Sequence, residues 1–475
     1  MFFKRKYSIQ NISKFIIGNG KEIPLINGQM IKSINFDNAA STPILRPVAD
    51  YVEEFYPWYS SVHRGTGFKS QLSTEVYDFC HERVAEFFNA DINKNTIIFT
   101  KNSSEAINKL SYRLNLQKDD VVLTSIMEHH SNDLPWRNKC HVEHIKANPV
   151  GSLDLNHLAS LIKRFGRKVK LITITGASNV TGHINPIDDI AQMAHHAGIP
   201  ILVDAAQLAP HRAIDMKPND HPCHIDYIVC SAHKMYAPLG TGVLIGPKIT
   251  FKRGIPEYCG GGTIKSVTQD EIHWASPPDK DEAGSPNIIG AVALKKSMDI
   301  LEEIGMNNIS QHECQLMKHL VTSLQSHPNI ILYGDNQSIH PQERVGVLCF
   351  NIKDLNHALV AAILSFEYGI SVRNGCFCAH PYIHHLLDLS PQEIRIQQRQ
   401  ILQSNFHNVV GMVRVSFGMY NQMKEVNYFL NAIEEILEQL GNNYYQKKYL
   451  LDRKSGAYYP RDYEVNFQEF FPFFS

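Results

Sequence analysis

Short runs of β-branched and apolar residues alternate with helical periodicity along the first half of this chain. TIIFT (Thr96–Thr100), VVLTS (Val121–Ser125), LITIT (Leu171–Thr175), ILVDA (Ile201–Ala205) and DYIVCS (Asp226–Ser231) read as buried strands. Between them, TEVYDFCHERVAEFF repeats Val76, Cys80, Val84 and Phe87 at helical spacing. INPIDDIAQMAHHAG stops at Gly198, a helix-ending residue ahead of the next strand. The alternation predicts an α/β unit with a mostly parallel sheet covered by helices on both faces.

The texture changes after GSPNIIGAVALKKSMDILEEIG, where Pro286 suits the first turn of a long helix and Gly305 its end. A smaller α+β unit is expected next, closing with the helix EVNYFLNAIEEILEQLG before Gly441. The final stretch, Tyr444 to Ser475, holds eleven aromatic residues. So many rings are expected to form an arm packed on a surface, since exposed they favour association. The expected layout is an N-terminal extension at 1–33, a large domain at 34–300, a small domain at 301–443 and the tail at 444–475.

Composition narrows the function. The chain has 475 residues, 43% hydrophobic, with a formal charge of −1. This is ordinary for a soluble enzyme of two or three packed units. No basic face stands out, which argues against nucleic acid and anionic lipid as partners. No apolar run reaches the ~18–20 residues of a membrane span. Nine cysteines, an odd and dispersed set, do not form a disulfide framework and point to a reducing, cytoplasmic compartment. The N-terminus is basic, with no acid before Glu22. It lacks the apolar core and small-residue cleavage site of a leader, so an ordinary extension is expected.

Candidate chemistry gathers at the strand ends. DYIVCSAHKMYAPLGTG runs from a strand into Ser231, His233 and Lys234. A partly desolvated lysine there suits attachment to a carbonyl cofactor, although a solvated surface lysine is the blander reading. Asp204 ends another strand and could hold a protonated ring nitrogen, or merely cap a helix. Ser103 and Ser104 precede a helix in FTKNSSEAIN, an anion cradle or a simple capping box. His129, in MEHHSNDLPW, could stack on a cofactor ring.

These signals come in order. NFDNAASTP, SSEAIN, MEHHSNDLPW, SNVTGHINPI, VDAAQ, SAHKMYAPLGTG, EAGSPN, SVRNGCFCAHP and VRVSFGMYN, read together, resemble the class V pyridoxal phosphate enzymes, nearest the cysteine desulfurase and selenocysteine lyase branch. The resemblance runs from about Asn35 to Leu440. It implies the fold type I, aspartate aminotransferase-like architecture, with a mostly parallel seven-stranded-type sheet, and pyridoxal 5'-phosphate as cofactor.

It also implies roles. Lys234 would carry the cofactor, with His233 beside it. Asp204 would pair with the ring nitrogen and Gln207 with the phenolic oxygen, with Asn179 near that oxygen and the substrate carboxylate. His129 would stack on the ring. Ser103, Ser104 and Ser231 would bind phosphate, with Ser285 doing so from the partner subunit of a homodimer. Arg414 would grip the α-carboxylate of a small amino-acid substrate, with Arg373 the next candidate. Cys378, five residues after Arg373, falls at the nucleophile position and would take sulfur or selenium as a persulfide for an acceptor protein. Another class V reaction, such as transamination, epimerisation or C–S lysis without a persulfide, is the alternative.

SVRNGCFCAHPY leaves room for other readings. Cys376 and Cys378 could be buried thiols, or zinc ligands with His380, although the spacing is short and no fourth ligand is evident. A disulfide fits so tight a ring poorly. In an extended loop the two would share a face, so Cys376 is expected within reach of the same space. Between Cys378 and Arg414 lie 35 residues, about twenty more than that branch shows. The extra segment, about 383–405, is expected to form a helix over the active-site mouth.

Overall fold

The computed structural model describes residues 6–473 except 64, 335, 337–339, 341, 407, 408, 442 and 443. The start of the basic N-terminal stretch, 1–5, lies outside the described residues.

The centre is a seven-stranded sheet: β1 (Asn95–Thr100), β2 (Val121–Ser125), β3 (His141–Ile145), β4 (Val169–Thr175), β5 (Ile201–Asp204), β6 (Tyr227–Ser231) and β7 (Gly242–Pro247). Their spatial order is β1-β7-β6-β5-β4-β2-β3. Only β7 runs against the rest, pairing antiparallel with both β1 and β6. All five expected strands are therefore present, and two were not anticipated. β3 is an edge strand with an exposed and half-buried pattern. β7, GVLIGP, follows the glycines after Lys234.

A second sheet, of four strands, contains β8 (Ile330–Tyr333), β9 (Val347–Ile352), β10 (Arg373–Gly375) and β11 (Met412–Ser416) in the order β8-β9-β11-β10, all antiparallel. Its apolar face packs with α1 (His357–Tyr368) and α2 (Met423–Glu438), which bury Leu359, Ile363, Phe429 and Ile433. The larger core surrounds the seven-stranded sheet and includes the long helix at Ile288–Ile304.

Several local expectations need correction. The helix at Phe68–Phe87 begins six residues before the periodic stretch, with Gly67 as its N-cap. Pro286 stands outside the long helix, which Asn287 caps by accepting from Gly290 N at 3.0 Å. Gly305 ends that helix at φ 91°, and the next, Met306–Gln325, starts at once. The inserted segment is not one helix but two, His380–Leu386 and Pro391–Leu402, with Ser390 and Glu393 forming a capping box on the second.

The tail packs as far as Tyr463, whose hydroxyl donates to Pro24 O at 3.1 Å. Tyr445 and Tyr449 are buried, and the hairpin Tyr449–Leu451 with Tyr458–Pro460 lies on the small-sheet unit. Phe467, Phe470, Phe471 and Phe473 remain exposed. Among the described residues no helix is long and apolar enough to cross a membrane.

Candidate active site

Strands β1, β2, β4, β5 and β6 run the same way, so their carboxyl ends open on one side of the sheet. Ligands bind there in open α/β sheets. A cavity of about 250 Å³ lies at those ends. Ser103, Ser104, His129, Asn179, Asp204, Gln207, Ser231, His233, Lys234, Arg373, Cys378 and Arg414 all line it. Of the expected site residues only Ser285 is absent. It is exposed and lines other hollows, with Gly261 and Gly262 on one side and Gly240 and Thr241 on the other.

At one end the wall is an anion cradle. The helix Ser103–Arg113 is capped by Asn102, whose side chain accepts from Glu105 N at 3.0 Å. The capping task therefore falls to Asn102, not to the two serines. Ser103 N donates to Ser231 Oγ at 2.8 Å, and Ser231 Oγ donates to Ser103 Oγ at 2.9 Å. Ser104 Oγ lies 2.5 Å from Ser131 Oγ. Gly242 permits this close approach, because a Cβ there would sit 2.5 Å from the Asn102 backbone.

In the middle, Lys234 leaves β6 in a single 3-10 turn that points its amine into the cavity. Burial lowers the amine to about 8, with Arg414 pressing the same way and Asp204 opposing. The solvated surface lysine is thereby excluded. Asp204 caps no helix; its Oδ1 accepts from Ala206 N at 3.0 Å. Burial raises its carboxyl, countered by that hydrogen bond and by the Lys234 charge.

His129 is neutral. Burial, then the Lys234, His130 and Arg414 charges, push it down to about 4. Its Nδ1 accepts from Ser131 N at 3.1 Å, which puts the ring proton on Nε2. Burial and then Lys234 likewise lower His233.

Arg414, in β11, crosses from the small sheet. It donates through Nη1 to Asn179 O at 2.9 Å and through Nη2 to Asp37 Oδ1 at 3.0 Å, and its Nε has no partner among the described residues. Its guanidinium lies 4.8 Å from the centre of the Phe377 ring. Arg373 is more exposed, with Nη1 3.6 Å from Asp37 Oδ2.

The two cysteines part company. Phe377 (φ 49°) and Cys378 (φ 54°) are both left-handed, so the loop is a tight turn and not the extended segment expected. Cys376 is turned away: its thiol donates to Val410 O at 3.4 Å, and burial, with a smaller push from Cys378, raises it to about 11. Cys378 is exposed and lines the cavity. Two successive left-handed non-glycine residues are strained and persist only when their surroundings hold them. Here Asn179 Nδ2 donates to Phe377 O at 2.8 Å, His130 N donates to Cys378 O at 2.7 Å, and the His130 and His380 rings share a hydrogen bond of 3.0 Å. The helix that follows anchors the loop through Tyr382, whose hydroxyl donates to Gly151 O at 2.5 Å. The inserted segment itself contributes no residue to the cavity wall, contrary to the expected lid.

Two residues of this site were missed. Asp37 sits inside NFDNAASTP, yet its two arginine partners are far away in sequence. Glu128, buried beside His129, accepts from Ser125 Oγ (2.5 Å), Thr175 N (2.9 Å) and Asn132 Nδ2 (2.7 Å), tying together the ends of β2 and β4. Burial raises its carboxyl to about 8. Its place in MEHHSN, among polar residues just after a strand, was the available signal.

Pyridoxal phosphate fits these residues. The helix N-terminus and three hydroxyls suit a phosphate, and Asp204 suits a ring N–H. Gln207 Oε1 is buried against the cavity with no partner among the described residues, as a residue awaiting a ligand would be.

Comparison with known proteins agrees. The family model for aminotransferase class V matches residues 34–429. A probable cysteine desulfurase from Synechocystis sp. is 34% identical over 418 residues, covering 86% of this chain and 91% of the relative. A cysteine desulfurase from Haloferax volcanii is 32% identical over 415 residues, covering 85% and 89%. Among solved structures, the apo cysteine desulfurase from Thermococcus onnurineus superposes with a TM-score of 0.77 at 31% identity, over 92% of this chain and all of that one (100%). The S-sulfonic acid form of the cysteine desulfurase CsdA from Escherichia coli gives 0.72 at 28%, covering 86% and 96%.

Proposed function

Since this chain belongs to the class V aminotransferase family, we propose that it is a pyridoxal phosphate-dependent cysteine desulfurase. It takes sulfur from L-cysteine, or selenium from L-selenocysteine, and releases alanine. The sulfur stays on Cys378 as a persulfide. The observation that carries this reading is the position of Cys378: an exposed thiol on a held, left-handed turn, at the rim of the cavity that contains Lys234 and Arg414.

The bound cofactor supplies an electron sink for the substrate's Cα. Ser103, Ser104, Ser231 and the helix N-terminus would hold its phosphate, Asp204 its ring nitrogen and Gln207 its ring oxygen, and His129 would stack on the ring. Ser285 would reach the phosphate from the other subunit of a homodimer, which its absence from the wall of this chain's own cavity supports.

The chain's own residues do the rest. Arg414 binds the substrate carboxylate as a planar fork, its orientation set by Asp37 and Asn179 O, with Arg373 at the rim. Lys234, lowered toward neutral pH, takes the Cα proton and returns one to the product. The Cys378 thiolate attacks the substrate sulfur. An S–S bond forms, the Cβ–S bond breaks with its electron pair leaving on the carbon side, and protonation there completes alanine. Exposure of Cys378 lets an acceptor protein collect the sulfur. No disulfide links cysteines among the described residues, which suits a reducing, cytoplasmic compartment.

Incubation of the loaded protein with L-cysteine tests the reading. Alanine and a protein-bound persulfide in equal amounts on the first turnover are expected. Alanine or pyruvate without persulfide would replace it with another class V reaction.

A further inference from the structure

Behind Gln207 lies a buried chain of polar groups that the reaction above does not use. Gln207 Nε2 and His211 Nε2 are 3.3 Å apart, His211 Nδ1 lies 2.6 Å from Glu313 Oε1, and Glu313 Oε2 accepts from Arg212 Nη1 at 3.0 Å. Gln207 and His211 are each 3% exposed and Glu313 is fully buried. Glu313 belongs to the helix Met306–Gln325, so the chain of contacts ties that helix to the cavity.

The proton positions follow from the distances. A contact of 2.6 Å between imidazole and carboxylate is at the short end even for charge-assisted bonds, so a proton lies between Nδ1 and Glu313. Although burial opposes it, the His211 and Arg212 charges hold Glu313 below its usual range, ionised. The remaining choice concerns His211 Nε2. If it is bare, it accepts from the Gln207 amide, and Gln207 Oε1 turns a second acceptor into the cavity, buried and unpaired. If it carries a proton, it donates to Gln207 Oε1, and the amide presents its N–H groups to the cavity. The two arrangements differ by a half-turn of the amide that exchanges Oε1 and Nε2 and leaves the rest of the side chain in place. Each leaves one side of the amide facing the cavity, and only the second offers a donor there to an anionic ring oxygen.

We propose that His211 and Glu313 are positioning residues acting through Gln207: Glu313 keeps His211 doubly protonated, and His211 turns the Gln207 amide so that it donates into the cavity. This rests on the reading that Gln207 meets the ring oxygen of pyridoxal phosphate.

The test is a long-range ¹H–¹⁵N spectrum of histidine-labelled protein without cofactor. At neutral pH both ring nitrogens of His211, assigned by their loss in His211→Asn, should carry protons, and in Glu313→Gln one of them should be bare. In the loaded protein, His211→Asn and Glu313→Gln should each shift the visible absorption as Gln207→Leu does. Gln207→Leu combined with Glu313→Gln should shift it no further. A singly protonated His211 in the wild type, or additive spectral shifts, overturns the proposal. Should His211→Asn fail to fold, loss of the same signals in His211→Gln supplies the assignment, and the wild-type spectrum then decides. It uses neither cofactor nor substrate, so it stands apart from any failure of the desulfurase reading.

Discussion

Arg414 and Asp37, 377 residues apart, meet at 3.0 Å in the cavity wall, Nη2 donating to Oδ1. With Asn179 O taking Nη1, the guanidinium is fixed in plane while Nε has no partner among the described residues. A point charge cannot reproduce that fork. Arg414→Lys is therefore expected to raise KM for L-cysteine at least about tenfold, worth ~1.4 kcal/mol. Asp37→Asn keeps a polar partner but removes the charge, and should raise KM less while kcat changes little. Steady-state kinetics check both; unchanged KM in Arg414→Lys would move the carboxylate site to Arg373.

Lys234 should be the residue that captures the cofactor. An amine titrating at about 8 is unprotonated in roughly one molecule in ten at pH 7, against about one in 2,500 at the ordinary value near 10.4. Added pyridoxal phosphate should turn the protein yellow, and borohydride followed by peptide mass analysis should find the label on Lys234. Lys234→Ala should take up cofactor only reversibly. A label fixed on another lysine would displace the assignment.

The two thiols should behave differently. Cys378→Ala should keep the cofactor and its colour yet lose alanine production from cysteine by at least about a hundredfold, near 2.7 kcal/mol of barrier. Cys376 is buried, raised to about 11 and bonded to Val410 O, so Cys376→Ala should retain most turnover. Iodoacetamide at pH 7 should label Cys378 well before Cys376. Selenocysteine, with its better leaving group, could still be processed by Cys378→Ala. Full cysteine desulfuration by Cys378→Ala, with loss in Cys376→Ala, would reverse the roles.

Glu128 gives a pH dependence with a definite sign. Its carboxyl releases a proton near 4.3 when unfolded but at about 8 when folded, mainly because it is buried. The folded state binds the proton more tightly. The stability this group adds is therefore fully present below about 4.3 and is lost as pH rises to about 8. Glu128→Gln brings an amide N–H₂ up against donors and should cost about 1–3 kcal/mol. It should also flatten the decline of Tm between pH 5 and 8. Calorimetry across that range decides; identical slopes in both proteins would count against a raised Glu128.

Assembly is checked by light scattering and cofactor retention. Ser285 does not reach the Lys234 cavity of its own chain, so the loaded protein should be a dimer. In mixed dimers, Ser285→Ala should weaken cofactor binding in the unmutated subunit. A loaded, active monomer would contradict this.

Local order along the chain sufficed for much of this protein. β-branched runs marked five of the seven central strands. Lys234, Asp204 and the two serines could be singled out because each follows a strand end, where a parallel sheet opens its ligand site. The order of the motifs carried the family. Other features depend on contacts that no window of sequence contains. The start of the helix at Phe68 was missed because polar residues in its first turns interrupt the apolar period. Cys376 and Cys378 look equivalent in sequence. They are separated only by two left-handed residues, which hydrogen bonds from Asn179 and His130 hold in place. Asp37 became part of the site through Arg414, and Glu313 reached Gln207 through His211. The low titration of Lys234 and the high one of Glu128 arise from burial. Burial depends on how the whole chain excludes water, so only the folded chain decides it.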